Sequence, residues 1–438
     1  MASCANKKVC LAKSADCARR EIELASYGEF FRQNSWEITK DPNAADLILL
    51  STCAYCKGTE DASVREIKKL GRLKKKDTPL VVCGCLPKIN KKRLDSVFMG
   101  ASFGPGESAL LDQIIHARVK TSRIRSPNGL ASPLTPSESE TFLQSKKSVG
   151  NFISAFQKAR REKTRDFFLN RLDKKNDLLL AEISRKNRSV FKIQIAQGCL
   201  SDCSYCAIKF AAGKLRSRPP EEILKDLNAG LDAGHRDFEL IAEDAGCYGD
   251  DIGMTLASLL REFFKRAEDY KLCINDIGAA SFLDHDAELR PLFYENRSRI
   301  DHITVPIQSG SDRILRRMNR GRYPLSEIKA GLNSLQRGIP SLRIATHLMV
   351  GFPGETEEDF QATLDLVRET AFDPVYLYKY TDRPGTLSSG MSRKVPEKVK
   401  LKRLFNPEVR NLFGTFWNQE TDAIVFFGRV PALALETT

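Results

Sequence analysis

The sequence lacks the features that would place the protein in or across a membrane. Its 438 residues contain no run of 18 apolar residues, and the first eight residues have no apolar core of the kind found in signal peptides. We therefore predict a cytoplasmic protein with no membrane partner. Histidine is also scarce, at 5 residues, and four of these are interpreted as structural or surface residues: His235, His285, His302 and His347.

Length, cysteine content and charge limit the classes of protein that remain. A chain of 438 residues is too long for one typical core, so we expect at least two domains. Its 12 cysteines, without an export signal, favour metal or redox chemistry over disulfides. The formal net charge of +13 is compatible with a polyanionic partner such as RNA.

Three cysteines stand close together in one segment, Cys199, Cys203 and Cys206, with the spacing C-x3-C-x2-C. A structural zinc site uses four ligands, and an ordinary four-iron cluster uses four cysteines. Three thiolates leave one iron of a [4Fe-4S] cluster open, and the pattern resembles that of radical S-adenosylmethionine (SAM) enzymes, in which the open iron binds SAM. The alternatives are a zinc knuckle without its fourth ligand and a chance grouping.

The first 119 residues predict a small doubly wound α/β domain. Residues 46–51 and 79–83 are short apolar runs typical of buried parallel strands, and residues 61–76 between them have helical composition and spacing. Ligands of such a sheet bind beyond the carboxyl ends of its strands.

A second set of cysteines lies just beyond the predicted strands of this domain. Cys17, Cys53 and Cys85 would meet at one edge of a parallel sheet, although more than 30 residues separate each from the next. Four other cysteines compete for these positions: Cys4, Cys10, Cys56 and Cys83. Cys10 and Cys83 lie within strand-like runs, where a buried free cysteine is the more common outcome.

The second half of the chain repeats strand and helix units. Strands are predicted over residues 190–196, 238–242, 303–307 and 343–350, and a helix over 219–233. Such a repeat favours a (β/α) barrel, with the three-cysteine loop at the carboxyl end of its first strand. The resemblance to radical SAM enzymes implies the partial (β/α)6 form of this barrel. In the tail, only residues 422–427 are interpreted as a strand. A basic, charged segment, 145–188, is interpreted as a helical linker or as a surface that helps to hold a substrate.

Several motifs in a fixed order make the chain similar to the radical-SAM methylthiotransferases. Ser51-Thr52-Cys53 and Gly84-Cys85 resemble the family's "NTC" and "GC" motifs, and the register places Cys17 at its first auxiliary cysteine, in a degraded motif for which Cys10 competes. Residues 305–312 with 318–320, residues 351–360 and residues 383–386 resemble "P-x-Q-S-G-S-D…M-x-R", "GFPGET-x2-DF" and "RPGT".

This resemblance implies a fold, cofactors and site residues. It implies two [4Fe-4S] clusters, an auxiliary one on Cys17, Cys53 and Cys85 and a SAM-binding one on Cys199, Cys203 and Cys206. The residues that it implies around SAM are Tyr205, Glu243, Gln308, Ser309, Gly351, Pro353, Gly354 and Glu355. The domains would then be residues 1–119 with the auxiliary cluster, a basic insert 120–188, a radical-SAM domain 189–392 and a short tail 393–438.

The resemblance also implies a reaction. Reductive cleavage of SAM would yield a radical that removes a hydrogen from an unactivated carbon, and the auxiliary cluster would deliver the methylthio group. Residues 243–253 are similar to the branch that acts on C2 of threonylcarbamoyladenosine in tRNA. The tail is short for the TRAM module that usually ends these enzymes, so a protein or peptide side chain stays open as the substrate.

A third possibility is a non-catalytic iron–sulfur RNA-binding or sensor protein. The intact cysteines of 199–206, Gln308 and the Gly351 loop favour an enzyme over this possibility. An external electron donor is implied as a partner, and the sulfur source is not identified. The insert offers candidate phosphate contacts at Lys146, Lys147, Arg160, Arg161, Lys163 and Arg165.

Overall fold

A computed structural model describes residues 7–15, 17–124 and 190–406 of the chain, and the backbone of residues 414–418 and 423–427. The helical segment predicted over 145–188, with its candidate phosphate contacts, lies outside these residues, as does Cys4. Within the described ranges, no helix combines the length and the apolar character that crossing a bilayer requires.

The N-terminal part is a five-stranded parallel sheet. Its strands pair in the order β2-β1-β3-β4-β5, and their bounds are β1 Lys8–Lys13, β2 Glu37–Thr39, β3 Leu47–Thr52, β4 Leu80–Gly84 and β5 Ser102–Phe103. Every residue of β3 and β4 is buried, as their apolar runs predict. Apolar clusters on both faces fix the sheet between its helices.

Two long helices and two short ones connect these strands, and a third short helix follows β5. The long helices are α1, Ala18–Gln33, and α2, Lys57–Leu73; the short ones are Leu86–Ile89, Lys91–Asp95 and Ala109–Ile114. Helix α2 begins earlier than predicted, because Cys56 and Thr59 satisfy each other's backbone amides in a capping box. It ends earlier as well, because the backbone of Lys74 is extended.

The second part is a sheet of six parallel strands that forms a partial barrel. The strands pair in the order β13-β12-β11-β10-β9-β6. Their bounds are β6 Phe191–Gln194, β9 Asp237–Ile241, β10 Lys271–Ile274, β11 Ile300–Thr304, β12 Arg343–Val350 and β13 Val375–Lys379. A short antiparallel pair, β7 Ala196–Gln197 and β8 Arg216–Ser217, closes the cysteine loop.

Helices between and after these strands pack around one large apolar cluster, except that Ile208–Ala212 packs in the apolar cluster shared with the N-terminal sheet. They are Ile208–Ala212, Pro220–Asp232, Leu256–Phe264, Ala279–Asp284, Asp286–Glu295, Asp312–Arg317, Leu325–Gly338, Glu357–Glu369 and Glu397–Leu404. The predicted fold class, a doubly wound parallel sheet followed by a partial (β/α)6 barrel, is confirmed. The domain limits stay a prediction, because the described chain is interrupted between 124 and 190.

The tail differs from its prediction. The strand expected at 422–427 is present as β15, Ala423–Phe427, but a second strand, β14 Gly414–Asn418, pairs with it in antiparallel fashion. Strand β15 also pairs with β13, so the two strands extend the edge of the barrel sheet. The prediction of a single strand in this segment is therefore wrong. A strand of five residues is short, and its sequence signal is weak without the partner that it finds in the fold.

The two parts of the fold share a packed interface. The helix Leu86–Ile89, which follows Cys85, belongs to the same apolar cluster as Ala207 and Ala211, which follow Cys206. On another part of the interface, the buried carboxylate of Glu60 in α2 pairs with the buried guanidinium of Arg383. A buried ion pair of this kind has a demanding geometry, because each charge depends on its partner to offset the cost of desolvation. The cysteine-bearing edges of both sheets therefore lie at the interface.

Candidate active site

Three cysteines follow three neighbouring strands of the N-terminal sheet, and we call them the N-terminal triad: Cys17, Cys53 and Cys85. Cys17 is the N-cap residue of α1, after β1; Cys53 directly follows β3, and Cys85 directly follows β4. Strands β1, β3 and β4 are adjacent and parallel. Their carboxyl ends therefore bring together three thiols that are far apart in the sequence.

Local backbone geometry holds two of these thiols side by side. The Cys85 amide donates a hydrogen bond to the Thr52 carbonyl, over 2.9 Å. Gly84 makes this possible, because it has a φ of +96° and a Cβ at this position would lie 2.4 Å from the same carbonyl oxygen. Ser63 fixes Cys53 through hydrogen bonds to its amide (3.1 Å) and to its carbonyl (2.7 Å).

Burial dominates the electrostatics of the N-terminal triad. It raises the pKa of the Cys53 thiol to about 12, and the negative charges of Cys17 and Cys85 add to this increase. Burial also raises the pKa of Cys85 to about 11, although the Arg20 guanidinium opposes this shift. Thiols in such an environment become thiolates when a metal group replaces their protons.

The competing cysteines of this domain have other positions. Cys10 and Cys83 lie within β1 and β4 and are buried, as was expected for strand cysteines. Cys56 caps α2 and its sulfur lies 3.6 Å from the Thr59 hydroxyl. The structure thus places Cys17, and not Cys10, at the loop tip next to Cys53 and Cys85. That Cys17 serves as a ligand stays a prediction.

The second set, which we call the barrel triad, is Cys199, Cys203 and Cys206. All three lie in the loop that β7 and β8 close. Gly198 starts this loop with a φ of +85°, and a Cβ there would lie 2.1 Å from the Lys214 carbonyl oxygen. Only glycine fits this close approach between the two ends of the loop.

Donor groups surround the sulfurs of the barrel triad. The Arg320 guanidinium donates to Cys203 Sγ over 3.3 Å and also to the Pro306 carbonyl. The Ser201 amide donates to Cys199 Sγ over 3.2 Å. A hydrogen bond from the thiol of Cys247 lowers the pKa of Cys199 to about 7, although burial opposes the shift. Sequence reasoning gave Cys247 no role, because nothing in its neighbours indicates contact with Cys199.

The residues predicted around SAM have part of their hydrogen-bonding capacity already used within the protein, and Glu243 is bound to the loop of the barrel triad. Glu243 accepts a hydrogen bond from the Gly198 amide over 2.8 Å and pairs with Arg19 at 3.3 Å. Gln308 has a φ of +80°, and its backbone forms an isolated parallel β-bridge with Leu348. Ser309 is fully buried and accepts from the Ser311 amide. Tyr205 packs against a small apolar cluster.

The turn that contains Gly351, Pro353, Gly354 and Glu355 is tied to the protein itself. Glu355 accepts from the Gly351 amide (2.5 Å) and pairs with Arg403 (2.6 Å). Burial raises the pKa of Glu355 to about 7, and one of its oxygens has no hydrogen-bond partner among the residues that the structure describes. The carbonyls of Pro353 and Gly354 accept from Arg317 and Arg313. These contacts are those of a structural turn, and contact with SAM stays a prediction here.

An aromatic wall lies between the two triads. Tyr55, two residues after Cys53, packs edge-on against Tyr378 of β13 at 5.9 Å, and His347 of β12 packs against Tyr378 at 5.4 Å. Tyr55 exposes 41% of its surface, yet burial raises its pKa well above the usual range, with Cys56 and Tyr205 as further causes. Water thus reaches part of the Tyr55 side chain, although the surrounding protein desolvates its hydroxyl. His347 packs here against Tyr378, and its interpretation as a structural or surface residue stays a prediction.

A cavity of about 660 Å³ lies away from the cysteines of both triads. Its lining includes Lys68, Arg72 and Pro79, at the end of α2 and before β4. This is the amino end of the parallel strands, opposite to the edge that carries the N-terminal triad. It is therefore not part of the candidate active site.

The donor sets fit iron–sulfur clusters. Among the described residues, no three His, Cys, Asp or Glu side chains are spaced to hold one metal ion. The cysteines of a four-iron cluster bind different irons, so the test of fit rests on the chemistry of the donors. Each triad offers three thiols, and hydrogen bonds to the sulfurs, such as that from Arg320, are a means by which proteins adjust the reduction potential of such clusters.

Two family models match the chain. The model described as the radical SAM superfamily matches residues 193–367, which include the barrel triad. The model described as uncharacterized protein family UPF0004 matches residues 10–103, which include the N-terminal triad. Both triads therefore lie in segments that are shared with other proteins.

Curated relatives cover most of the chain. It is 30% identical, over 377 residues, to a probable threonylcarbamoyladenosine tRNA methylthiotransferase of Pyrococcus abyssi, with 85% of this chain and 77% of the relative covered. It is also 30% identical to a tRNA-2-methylthio-N(6)-dimethylallyladenosine synthase of Caldicellulosiruptor saccharolyticus, with 83% and 69% covered. Identity to the Bacillus subtilis threonylcarbamoyladenosine tRNA methylthiotransferase MtaB is 35%, over 50% of this chain and 48% of the relative.

Solved structures share the fold. The radical SAM methyltransferase TsrM of Kitasatospora setae, solved with cobalamin and a [4Fe-4S] cluster bound, superimposes with a TM-score of 0.56. The two proteins are 14% identical, and the match covers 98% of this chain and 89% of TsrM. At this identity the likeness shows the fold alone.

Proposed function

The chain belongs to the radical SAM methylthiotransferase family, and we propose that it transfers a methylthio group to C2 of threonylcarbamoyladenosine in tRNA. Enzymes of this family transfer sulfur-containing groups and use SAM and [4Fe-4S] clusters. The substrate, the ligand residues and the number of clusters in this chain are parts of the proposal.

The observation that carries the proposal is the presence of two separate cysteine triads at one interface. The N-terminal triad lies at the carboxyl ends of three parallel strands, and the barrel triad lies in the one loop that follows β6 and β7. Tyr55, two residues after Cys53, lies close enough to Cys206 of the barrel triad for a negative charge on that sulfur to raise the pKa of Tyr55. A single cluster would need only one of these sets, whereas methylthio transfer needs one group to activate the substrate and another to supply sulfur.

The residues of the chain would divide the work as follows. The barrel triad would hold one cluster together with SAM, and the N-terminal triad would hold the other. When bound, these groups supply the radical that removes hydrogen from the substrate carbon and the sulfur that takes its place. Arg320 would stabilise the negative charge on Cys203. Tyr55 and Tyr378 would form the wall that excludes water between the two groups.

Several observations support tRNA as the substrate. The net charge of +13 suits a polyanion, and relatives that cover most of the chain are named as tRNA methylthiotransferases. Residues 243–253 are similar to the branch that acts on threonylcarbamoyladenosine, and the sequence between Glu243 and Tyr248 lies beside the barrel triad. We further propose that the enzyme is cytoplasmic and that a separate protein supplies electrons.

The proposal is tested by analysing tRNA nucleosides by mass spectrometry. Cells that lack the gene should lose 2-methylthio-threonylcarbamoyladenosine and accumulate the unmodified nucleoside, and the wild-type gene should restore it. Purified protein with its clusters should convert the same tRNA in vitro, and its tRNA binding should weaken steeply with salt. Unchanged nucleosides, together with salt-insensitive binding, would contradict the proposal and favour a protein or peptide substrate.

A further inference from the structure

One arginine of the N-terminal domain reaches into the barrel. Arg19 lies in the first turn of α1, two residues after Cys17. Its guanidinium donates a hydrogen bond to the Ala242 carbonyl at the end of β9 over 2.7 Å. It also pairs with Glu243 at 3.3 Å and approaches Asp276, which follows β10, at 3.7 Å. A residue next to one triad is therefore bound to the strand ends of the other domain.

The partner of Arg19 is connected to the other triad. One oxygen of Glu243 faces Arg19, and the other accepts a hydrogen bond from the Gly198 amide over 2.8 Å. Gly198 precedes Cys199, and its φ of +85° and the nearby Lys214 carbonyl restrict this position to glycine. A continuous path of contacts thus runs from Cys17 through Arg19, Glu243 and Gly198 to Cys199.

Burial strengthens the ion pair between Arg19 and Glu243 on this path. The Glu243 side chain is 6% exposed and that of Arg19 is 22% exposed, so water screens their attraction much less than it screens a surface pair. The planar guanidinium contacts a carbonyl and a carboxylate at the same time, which fixes its orientation as well as its position.

Other contacts would keep the domains together without Arg19. Glu21 of α1 pairs with Lys192 of β6 at 3.1 Å, and Glu60 pairs with Arg383 in a buried position. Apolar packing between the helices that follow Cys85 and Cys206 adds to these contacts. Removing the Arg19 guanidinium should therefore alter the local geometry of the two triads and not the docking of the domains.

We infer that Arg19 is a positioning residue that sets the placement of the N-terminal triad relative to the barrel triad. This inference rests on the proposed function and deepens it. Activation of a substrate carbon is productive only when sulfur lies within reach, and small misplacements of reacting groups reduce rates strongly. Arg19 would therefore determine how often SAM cleavage ends in methylthio transfer.

The test compares three variants of the full-length, cluster-containing protein. In Arg19→Met, both triads should keep their iron and SAM cleavage should stay within about twofold, but the molecules of SAM cleaved per methylthio product should rise by about tenfold or more. Arg19→Lys keeps the positive charge but lacks the planar guanidinium, so it should recover part of the coupling between SAM cleavage and methylthio transfer. Arg32→Met is the matched control, because Arg32 lies on the same helix with 59% of its side chain exposed.

Hydrogen–deuterium exchange provides a measurement that does not depend on turnover. In Arg19→Met, exchange should accelerate in residues 18–24 and 196–200, and it should be unchanged in Arg32→Met. Unchanged exchange in Arg19→Met together with a wild-type ratio of cleavage to product would overturn the inference. If the wild-type protein forms no methylthio product on any tRNA, the proposed function fails, and the exchange measurement still decides whether Arg19 fixes these loops.

Discussion

The two cysteine triads have the same number of thiols but are built in opposite ways. The N-terminal triad collects its cysteines from the ends of three strands, β1, β3 and β4, and its thiols exist as a set only when the sheet has formed. The barrel triad lies within a single loop, and the short β7–β8 pair closes that loop on itself.

The electrostatic surroundings of Cys199 in the barrel triad also differ from those of Cys53 and Cys85 in the N-terminal triad. Burial raises the pKa of Cys53 and Cys85 to about 12 and about 11, whereas a hydrogen bond from Cys247 lowers the pKa of Cys199 to about 7. Cys199 is thus prepared for an anionic form before a metal group arrives. Burial raises the pKa of Cys206, so this thiol and those of the N-terminal triad depend on the metal group to offset desolvation, and the N-terminal triad depends in addition on the packing of three strands. Defects in packing should therefore harm the N-terminal triad first.

The largest expected effect separates the roles of the triads. Cys17→Ala should abolish methylthio transfer while SAM cleavage stays measurable, because the barrel triad is untouched. Cys10→Ala is the matched control, because Cys10 is buried within β1 and should not be a ligand. The products are measured separately, as cleaved SAM and as modified nucleoside. An active Cys17→Ala protein and an inactive Cys10→Ala protein would reverse the assignment.

A second substitution acts on the barrel triad alone. Arg320→Met removes the donor to Cys203 Sγ, and SAM cleavage should fall by roughly 10- to 100-fold, as is typical when a partner of a metal ligand is lost. The iron of the N-terminal triad should be retained. Arg316→Met is the control, since Arg316 lies on the exposed face of the preceding helix. Equal losses in both variants would show that Arg320 has no special role.

A third substitution tests the dependence on packing. Leu50 of β3 is fully buried, and Leu50→Ala should lower the free energy of unfolding by about 2–5 kcal/mol. On warming, iron should leave the N-terminal triad before it leaves the barrel triad. Leu73→Ala, at a residue that is 42% exposed, should change the free energy of unfolding by less than about 0.5 kcal/mol. Simultaneous loss of iron from both triads would contradict the comparison.

The smallest expected effect is on the pH dependence of the free energy of unfolding, to which one histidine of the barrel contributes. Burial lowers the pKa of His302 on β11 from 6.5 to about 4. The unfolded chain then binds more protons between these values, so the contribution of His302 to stability is complete above pH 6.5 and is lost as the pH falls toward 4. The free energy of unfolding should change by at most about 1.4 kcal/mol per pH unit from this group. Urea titrations of wild type and His302→Gln at pH 5 and 7 should show a weaker pH dependence in the variant.

The sequence predicted the strands that carry the triads better than the residues that join them. Apolar runs locate β3, β4 and β12 closely, because buried parallel strands have a strong pattern. The cysteine spacing located the barrel triad, because its ligands are local. Arg19 and Tyr55 act across the interface, and Cys247 acts within the barrel on Cys199. No periodicity or spacing links Arg19 to Glu243, more than 200 residues away. The sequence offered one signal for Arg19 and Tyr55, which is that each lies two residues after a cysteine of the N-terminal triad, Cys17 and Cys53 respectively.

Iron and sulfide analysis of two complementary triple variants tests the central claim most directly. Wild-type protein reconstituted without oxygen should hold about eight irons, as expected for two four-iron clusters. Replacing Cys199, Cys203 and Cys206 by alanine should leave about four, and replacing Cys17, Cys53 and Cys85 should also leave about four. If either triple variant binds as much iron as the wild type, the substituted triad does not hold a cluster and the account of two separate triads is wrong.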